Sequence, residues 1–376
     1  MNLQSMSGLY IHIPFCHSKC IYCDFFSTPK KYPAEAYIDA LLRELRQRSH
    51  EIEMPPATVY IGGGTPSIVP QVELQRLIDG IPAEKAAEFT IEVNPEDVDD
   101  SFARFLARSP VNRVSMGVQS MVNAELRAIG RRHSAADSLN ACHRLRDAGI
   151  ENISLDLMFG LPGQTVDSWR HSLETVLGLA PEHLSAYSLM YEPGTRLWAM
   201  RENGKIKETP QEVSEEMYSI LCRRASENGY SHYEISNFAI PGKESRHNSS
   251  YWDLTPYLGL GTSAHSFDGN TRRYNPDNIS DYISSATPLF IEERPETQEE
   301  RIDEYIMIRL RTARGLDMNK FRNIFGTDAA RTLLDKAVAE SRKGLVTFEG
   351  DRFFIPERHW LVADTVIVAL MCDRDA

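Results

Sequence analysis

Three cysteines stand close together near the start of this 376-residue chain: Cys16, Cys20 and Cys23, spaced C-x3-C-x2-C. They follow the apolar run Gly8 to Ile13, which reads as a β-strand, so the thiols sit in the loop that leaves it. Three thiolates in one short loop can hold three irons of a four-iron, four-sulfur cube, whereas a fully ligated cluster normally takes four cysteines. The fourth iron is then open to a small chelating molecule, and S-adenosylmethionine carries a suitable amino and carboxylate pair. Two other uses of the thiols stand beside this one. A disulfide would leave one cysteine over, and nothing in the chain suggests an oxidising compartment. A zinc ion could take His17 as its fourth ligand, although His17 directly follows Cys16 and makes an awkward tetrahedral partner.

The other residues able to do chemistry fall at the ends of apolar runs. Gly62-Gly63-Gly64-Thr65-Pro66 follows the run Thr58 to Ile61. It lacks the spacing of a phosphate loop or dinucleotide fingerprint, and no lysine follows it. Three glycines let the backbone approach a ligand, and their carbonyls could accept from an ammonium group; a tight strand-to-helix turn explains them equally well. Glu92 and Asn94 close the run Phe89 to Val93, Gln119 follows Arg113 to Val118, and Asp156 lies near the end of Ile153 to Met158. Taken singly, each of these could be a surface or capping residue. Further on comes His247-Asn248-Ser249-Ser250-Tyr251-Trp252. A histidine beside two aromatics suits a planar, iron-bearing ligand such as heme, or a histidine and aromatics packed at a domain seam.

Short apolar runs alternate with helical patterns from Gly8 to Leu189, the sixth run being Leu184 to Leu189. The helical segments are Ala34 to Arg48, Gln71 to Asp79, Ser101 to Ala107, Ser134 to Ala148 and Val166 to Leu179. Six βα units of this kind imply a parallel sheet with right-handed crossovers. In a barrel the C-terminal strand ends converge on one face, which would gather the cysteine loop and the polar groups of four further strands into one site. The expected fold is therefore α/β, a partial (β/α)6 TIM-like barrel. Beyond it, Pro210 to Asn228 reads as a helix, Tyr233 to Phe238 as one more strand, and Leu258 to His265 as a glycine-rich segment. Glu299 to Leu310 and Asp328 to Ser341 read as helices, and Leu345 to Glu349 with Arg352 to Ile355 as a hairpin about Gly350-Asp351. These suggest a small winged-helix-like domain. The boundary is expected within Ser284 to Thr297, giving units 1–285 and 286–376. Acidic residues outnumber basic ones in the second unit, so a docking or lid role is expected there instead of DNA binding.

Composition narrows the classes. The chain is 42% hydrophobic and 25% charged, as soluble globular proteins are, and its net charge of -12 argues against nucleic acid as a partner. Met1 to Ser7 has no basic or apolar character, so no signal peptide is expected. Leu361 to Met371 is interrupted by Asp364 and is too short to span a bilayer. Cys142, Cys222 and Cys372 are scattered and read as small core residues. A cytoplasmic, reducing setting is the expectation.

Together the motifs resemble the radical S-adenosylmethionine (SAM) enzymes, and within them the branch related to oxygen-independent coproporphyrinogen III oxidase. The resemblance runs through Tyr10-Ile11-His12-Ile13-Pro14-Phe15-Cys16, the Gly62–Pro66 segment, Ser115-Met116-Gly117-Val118-Gln119 and Asp156-Leu157-Met158-Phe159-Gly160-Leu161-Pro162, and on into the C-terminal unit. It implies a [4Fe-4S] cluster on Cys16, Cys20 and Cys23 whose open iron chelates SAM, and reductive cleavage of SAM to a 5′-deoxyadenosyl radical. It places cofactor contacts at Tyr10, Gly63, Gly64, Thr65, Glu92, Gln119, Arg131 and Asp156, with Met190 matched by spacing alone. Glu92 and Asp156 could accept from ribose hydroxyls or the ammonium, and Arg131 could pair a carboxylate. The oxidases of that branch carry a further cysteine shortly after the third, where this chain has Asp24-Phe25, and a long extension before the first strand, which here is expected seven residues in. Both features, with the H-N-x-x-Y-W motif, are similar to the heme-chaperone group of the branch. That resemblance implies heme contacts at His247, Asn248, Tyr251 and Trp252 and delivery of heme to a membrane-associated acceptor. The alternative it leaves is oxidative decarboxylation of coproporphyrinogen III to protoporphyrinogen IX.

Overall fold

The computed structural model describes residues 7–83 and 86–372; residues 1–6, on which the signal-peptide reading rests, lie outside the described residues, as do 84–85 and 373–376. Six strands alternate with helices in the first half: β1 (Gly8–Ile13), α1 (Ala34–Arg48), β2 (Thr58–Gly63), α2 (Gln71–Asp79), β3 (Glu88–Val93), α3 (Asp100–Arg108), β4 (Arg113–Gln119), α4 (Asn123–Ala128), α5 (Ala135–Asp147), β5 (Ile153–Phe159), α6 (Val166–Gly178) and β6 (His183–Ser188). All six pair in parallel, with Tyr10 opposite Tyr60, Tyr60 opposite Thr90, Glu92 opposite Ser115, Gly117 opposite Asp156, and Asp156 opposite Ser185.

Strand residues alternate between faces, and the register sorts them chemically. One face carries Leu9, Ile11, Ile13, Val59, Ile61, Phe89, Ile91, Val114, Met116, Leu155 and Leu157, all buried in the main core with the helices. The other carries Tyr10, His12, Tyr60, Thr90, Glu92, Arg113, Ser115, Ser154, Asp156 and Ser185, so the inside of the barrel is polar. The helices start at side-chain caps: Ser134 with Asp137 forms a capping box on α5, and Thr165 with Ser168 another on α6.

After α7 (Arg196–Glu202) and α8 (Gln211–Glu227) the chain departs from expectation twice. The single strand expected over Tyr233 to Phe238 is a hairpin, β7 (Ser231–Glu234) and β8 (Asn237–Ala239), turning at Ile235-Ser236 and pairing antiparallel to β6. Past α9 (Arg246–Trp252), the glycine-rich segment contains a strand, β9 (Tyr257–Leu260), parallel to β1 on the side away from β2. Glycine is required at position 259 because a Cβ there would lie 1.9 Å from the carbonyl oxygen of His265, which belongs to the neighbouring strand β10 (His265–Phe267). With β11 (Arg272–Tyr274), α10 (Ile279–Ser284) and β12 (Ile291–Glu292), the sheet reaches twelve strands in the order β12-β11-β10-β9-β1-β2-β3-β4-β5-β6-β8-β7. The sheet therefore ends in two edges, β12 and β7, and the barrel is partial.

A buried charge network fastens this extension to α1. Glu44 accepts from Arg48, from the amide of Gly261, from Asn275 and from the hydroxyl of Tyr282, while Arg48 also donates to the carbonyl of Gly259 and to Ser266. Every charge in it is matched, as burial requires. Then follow α11 (Gln298–Leu310), β13 (Leu316–Asp317), α12 (Met318–Phe325), α13 (Thr327–Arg342), β14 (Thr347–Glu349), β15 (Arg352–Phe354) and α14 (Ala363–Leu370). The expected hairpin is joined by β13 into a three-stranded sheet, order β13-β15-β14, beside three helices, which is a winged-helix-like arrangement. The apolar run Leu361 to Met371 holds α14, which buries Val366, Ile367 and Leu370. No helix among the described residues is long and apolar enough to cross a membrane.

Candidate functional site: the cysteine loop, the strand ends and the H-N-x-x-Y-W helix

The cysteine loop leaves β1 at the C-terminal face of the barrel and is held at both ends. Its base is closed where Phe15 bridges Thr28, with the Cys16 amide donating to the Thr28 carbonyl at 3.0 Å and the Thr28 amide to the Pro14 carbonyl at 2.8 Å. Its far end is anchored by Ile21, which packs with Ile129, Met158, Leu161, Leu189 and Leu197 in a core of its own. All six cysteines of the chain are free thiols, which removes the disulfide alternative. His17, the zinc alternative's fourth ligand, reaches Asp97 instead, at 3.2 Å. Among the described residues, only Cys222, His232 and Glu357 bring three donor atoms within 4.8 Å of one another. The three loop cysteines are not such a group. Three free thiols in one loop, with His17 turned to Asp97, fit the three-ligand cluster better than a closed zinc site.

Next to the loop, the glycine turn has a steric reason for each glycine. A Cβ on Gly64 would lie 2.6 Å from the Phe15 carbonyl oxygen and 2.8 Å from that of Ile13, so the turn and the cysteine loop share one surface. Gly63 has φ +108°, in the region that favours glycine, and its amide donates to Glu92 at 3.0 Å. Thr65 stands 3.4 Å from the Cys16 sulfur and also accepts from Asn94. Arg131 donates to Asn94 and to the Gly117 carbonyl, both at 2.7 Å, and its guanidinium lies 3.8 Å from the Cys20 sulfur. Burial opposes its charge, but Tyr22 and Cys20 more than offset that and hold it cationic. Gln119, at φ +65°, ends β4 beside Gly117, and Met190 is exposed on the loop after β6.

Within the barrel, Glu92 accepts from the Tyr60 hydroxyl at 2.7 Å as well as from Gly63. Burial, with a contribution from Asp156, pushes its carboxyl up to about 7. Burial likewise raises Asp156 to about 6, against donors from Ser185, Ser115 and Ser154 and the charge of Arg113. Arg113 is 1% exposed and counterbalances both carboxylates. The Tyr10 hydroxyl meets His12 Nδ1 at 2.9 Å, and His12 Nε2 meets the Phe26 carbonyl, which ties the barrel wall to the cysteine loop. Two carboxylates, backbone groups freed by glycines and one arginine therefore line the strand ends below three thiols. That set can hold a small molecule carrying ammonium, carboxylate and ribose hydroxyls.

The H-N-x-x-Y-W motif lies elsewhere, at the N-terminal ends of the strands. The Glu88 carboxylate at the start of β3 accepts from the amides of Arg246 and His247, seating α9 against the foot of the barrel. His247 is 0% exposed; its Nδ1 meets the Thr58 hydroxyl at 2.9 Å, its Nε2 the Tyr251 hydroxyl at 2.8 Å, and its ring stacks on Tyr60. Burial, with help from Arg113, lowers its pKa to about 3, so it is a neutral imidazole. Asn248, Tyr251 and Trp252 are half-buried. The cysteine loop and α9 are thus not brought together: β1 separates them by roughly 17 Å, five steps at about 3.3 Å. Tyr60 links the two ends, bonded to Glu92 on one side and stacked on His247 on the other. Asn94 was a candidate from the sequence, whereas Tyr60, His12 and Arg113 were not; the period-two recurrence of polar residues along β1 to β5 was the available signal for them.

Residues 10–176 match the family model described as the Radical SAM superfamily, and residues 297–362 match the HemN C-terminal domain. Partial barrel, three-cysteine loop and strand-end site together define a radical SAM protein, a class whose resident cofactors are a [4Fe-4S] cluster and SAM. The chain is 36% identical to the heme chaperone HemW of Bacillus subtilis (strain 168), over 97% of this chain and 99% of that one. To the heme chaperone HemW of Escherichia coli (strain K12) it is 31% identical, over 97% and 98%. The solved structure of Escherichia coli coproporphyrinogen III oxidase, HemN, superposes with a TM-score of 0.82 over 98% of this chain and 90% of that one, and at 22% identity shares the fold. The chain belongs to the HemW family.

Proposed function

We propose that this protein is a heme chaperone of the cytoplasm, which takes up heme at α9 and hands it to a membrane-associated acceptor. The single observation that carries this reading is the H-N-x-x-Y-W helix, half-exposed at the barrel foot in a chain similar over nearly its whole length to proteins called heme chaperone HemW. A cavity of about 350 Å³ opens beside Asp253 and Leu254, directly after α9. Phe267, Tyr305, Ile324 and Phe325 give it apolar walls, and its polar lining mixes the cations Arg301, Arg309 and Lys320, which can pair heme propionates, with Glu296 and Glu304. In this reading the unit from residue 286 onward covers the heme and docks the acceptor.

At the other end of the barrel, Cys16, Cys20 and Cys23 hold the cluster. Glu92 and Asp156 accept from the ribose hydroxyls and ammonium of SAM, the Gly63 and Gly64 backbone admits its methionine part, and Arg131 faces its carboxylate. Tyr10, Thr65, Gln119 and Met190 complete the enclosure. When bound and reduced, the cluster supplies the electron that cleaves the carbon–sulfur bond of SAM. His247 can ligate heme iron only after exchanging Thr58 or Tyr251 for the metal, and Tyr251, the partner nearer the surface, is the one to yield. The second reading, coproporphyrinogen III oxidation, rests on the fold shared with HemN; against it, Phe25, 72% exposed, stands where the oxidases carry a further cysteine.

A heme titration of the anaerobically reconstituted protein, followed at the Soret band, tests the proposal with wild type beside His247→Ala and Trp252→Ala. The expected result is saturable binding weakened in both variants with the cluster intact. Binding indifferent to both, together with turnover of coproporphyrinogen III, would replace it with the oxidase reading.

A further inference from the structure

The six cysteines divide into the three of the loop and three scattered ones, and Cys222 among the latter packs against the core yet also meets two other donor groups. It lies half-buried on α8, with its sulfur 3.9 Å from Nδ1 of His232 on β7. The same Nδ1 lies 2.7 Å from a carboxylate oxygen of Glu357, which comes from the far side of the C-terminal hairpin. The three donor atoms are within 4.8 Å of one another. We propose that Cys222, His232 and Glu357 form a divalent metal site, suited to Zn2+, that clamps the barrel extension to the C-terminal unit.

Thiolate, imidazole and carboxylate with one position left for water are a zinc donor set, and one thiolate makes the site unattractive to Mg2+ or Ca2+. The imidazole is already oriented as a ligand. Its ring is stacked on Phe238 at 3.9 Å and packed edge-on against Trp360 at 4.2 Å, so it cannot turn away. Its Nε2 faces the Ile235 carbonyl at 3.4 Å, an outer partner that turns Nδ1 toward Cys222 and Glu357. Nδ1 and Glu357 are in direct contact at 2.7 Å, so a metal bound here replaces that contact, and the exposed Glu357 carboxylate moves outward to admit it. Glu357 is exposed and provides the entry path, while Cys222 gives up its thiol proton to solvent on binding. The site is separate from the cysteine loop and independent of the heme proposal.

The test uses the full chain with its iron–sulfur cluster reconstituted anaerobically, washed with a weak chelator and then titrated with Zn2+ against a competing chromophoric chelator. Wild type is expected to hold one zinc beyond its iron, with one sulfur in the zinc coordination shell by X-ray absorption. Cys222→Ser is expected to weaken zinc by more than about 100-fold, beyond what losing an outer partner costs. Glu357→Gln, an exposed change that leaves the fold intact, is expected to weaken it by at least about tenfold, with cluster iron unchanged in both. Three sulfurs around the zinc would mean that it occupies the cysteine loop. That result, absence of zinc from wild type, or zinc binding indifferent to both substitutions would overturn the proposal and leave a His232–Glu357 ion pair.

Discussion

Glu92 gives the SAM site a built-in pH dependence that can be worked from its surroundings. Its carboxyl is held up to about 7 by burial and by Asp156, although Tyr60 and Gly63 both donate to it. To pair an ammonium as its counter-charge it must be ionised, so affinity follows its ionised fraction. With a pKa of about 7 that fraction is about 9% at pH 6.0 and about 76% at pH 7.5, a gain of about eightfold or about 1 kcal/mol. Asp156, raised to about 6, adds about twofold over the same range. Isothermal titration of SAM into the reconstituted protein should therefore show about a 15-fold rise in affinity from pH 6.0 to 7.5 in wild type, shrinking to about twofold in Glu92→Gln. Stability runs the other way. A carboxyl whose folded pKa is raised from 4.5 to about 7 destabilises the ligand-free fold as pH rises through that window, by up to about 3 kcal/mol for Glu92 alone. A wild-type affinity flat between pH 6.0 and 7.5, or a slope that survives Glu92→Gln undiminished, would refute the reasoning.

Three further outcomes follow from packing and hydrogen bonding. Gly64→Ala drives a methyl group into the backbone carbonyls of Ile13 and Phe15, so it should cost about 1–3 kcal/mol and lower iron and acid-labile sulfide per chain after reconstitution. Tyr251→Phe removes the hydroxyl on His247 Nε2; it should lower stability by about 1 kcal/mol while binding heme at least as tightly as wild type, and heme loss equal to that of His247→Ala would count against iron ligation by His247. Glu44→Ala leaves Arg48, Tyr282 and the Gly261 amide without their buried acceptor, and urea unfolding should show a loss of about 3–5 kcal/mol.

Much of this was legible before the structure, because local chemistry decided it. The bounds of β1, α1 and α2 follow from uninterrupted apolar runs and helical spacing, and the cysteine loop from its position after a strand. β9 was hidden because glycine at 259 answers to a carbonyl on β10, a contact made by a strand later in the chain. The β7–β8 hairpin was hidden because its turn, Ile235-Ser236, carries no glycine, proline or asparagine. His247 read either as a heme contact or as a packed histidine, and it is packed: Thr58, 189 residues away, occupies one of its nitrogens. Cys222, His232 and Glu357 look unrelated along the chain because α8, β7 and the segment after β15 meet only in the folded molecule. Contacts of this kind depend on strand order, and strand order is not written in local pattern.

The central claim is heme delivery, and the most direct measurement is transfer. Heme-loaded protein, with cluster and SAM in place, is mixed with a membrane-associated apo heme protein, and the acceptor's spectrum is followed in time. Heme should leave for the acceptor faster than it leaves for a passive scavenger, and His247→Ala should abolish the difference. Transfer no faster than to the scavenger, with equal rates in wild type and variant, would contradict the account.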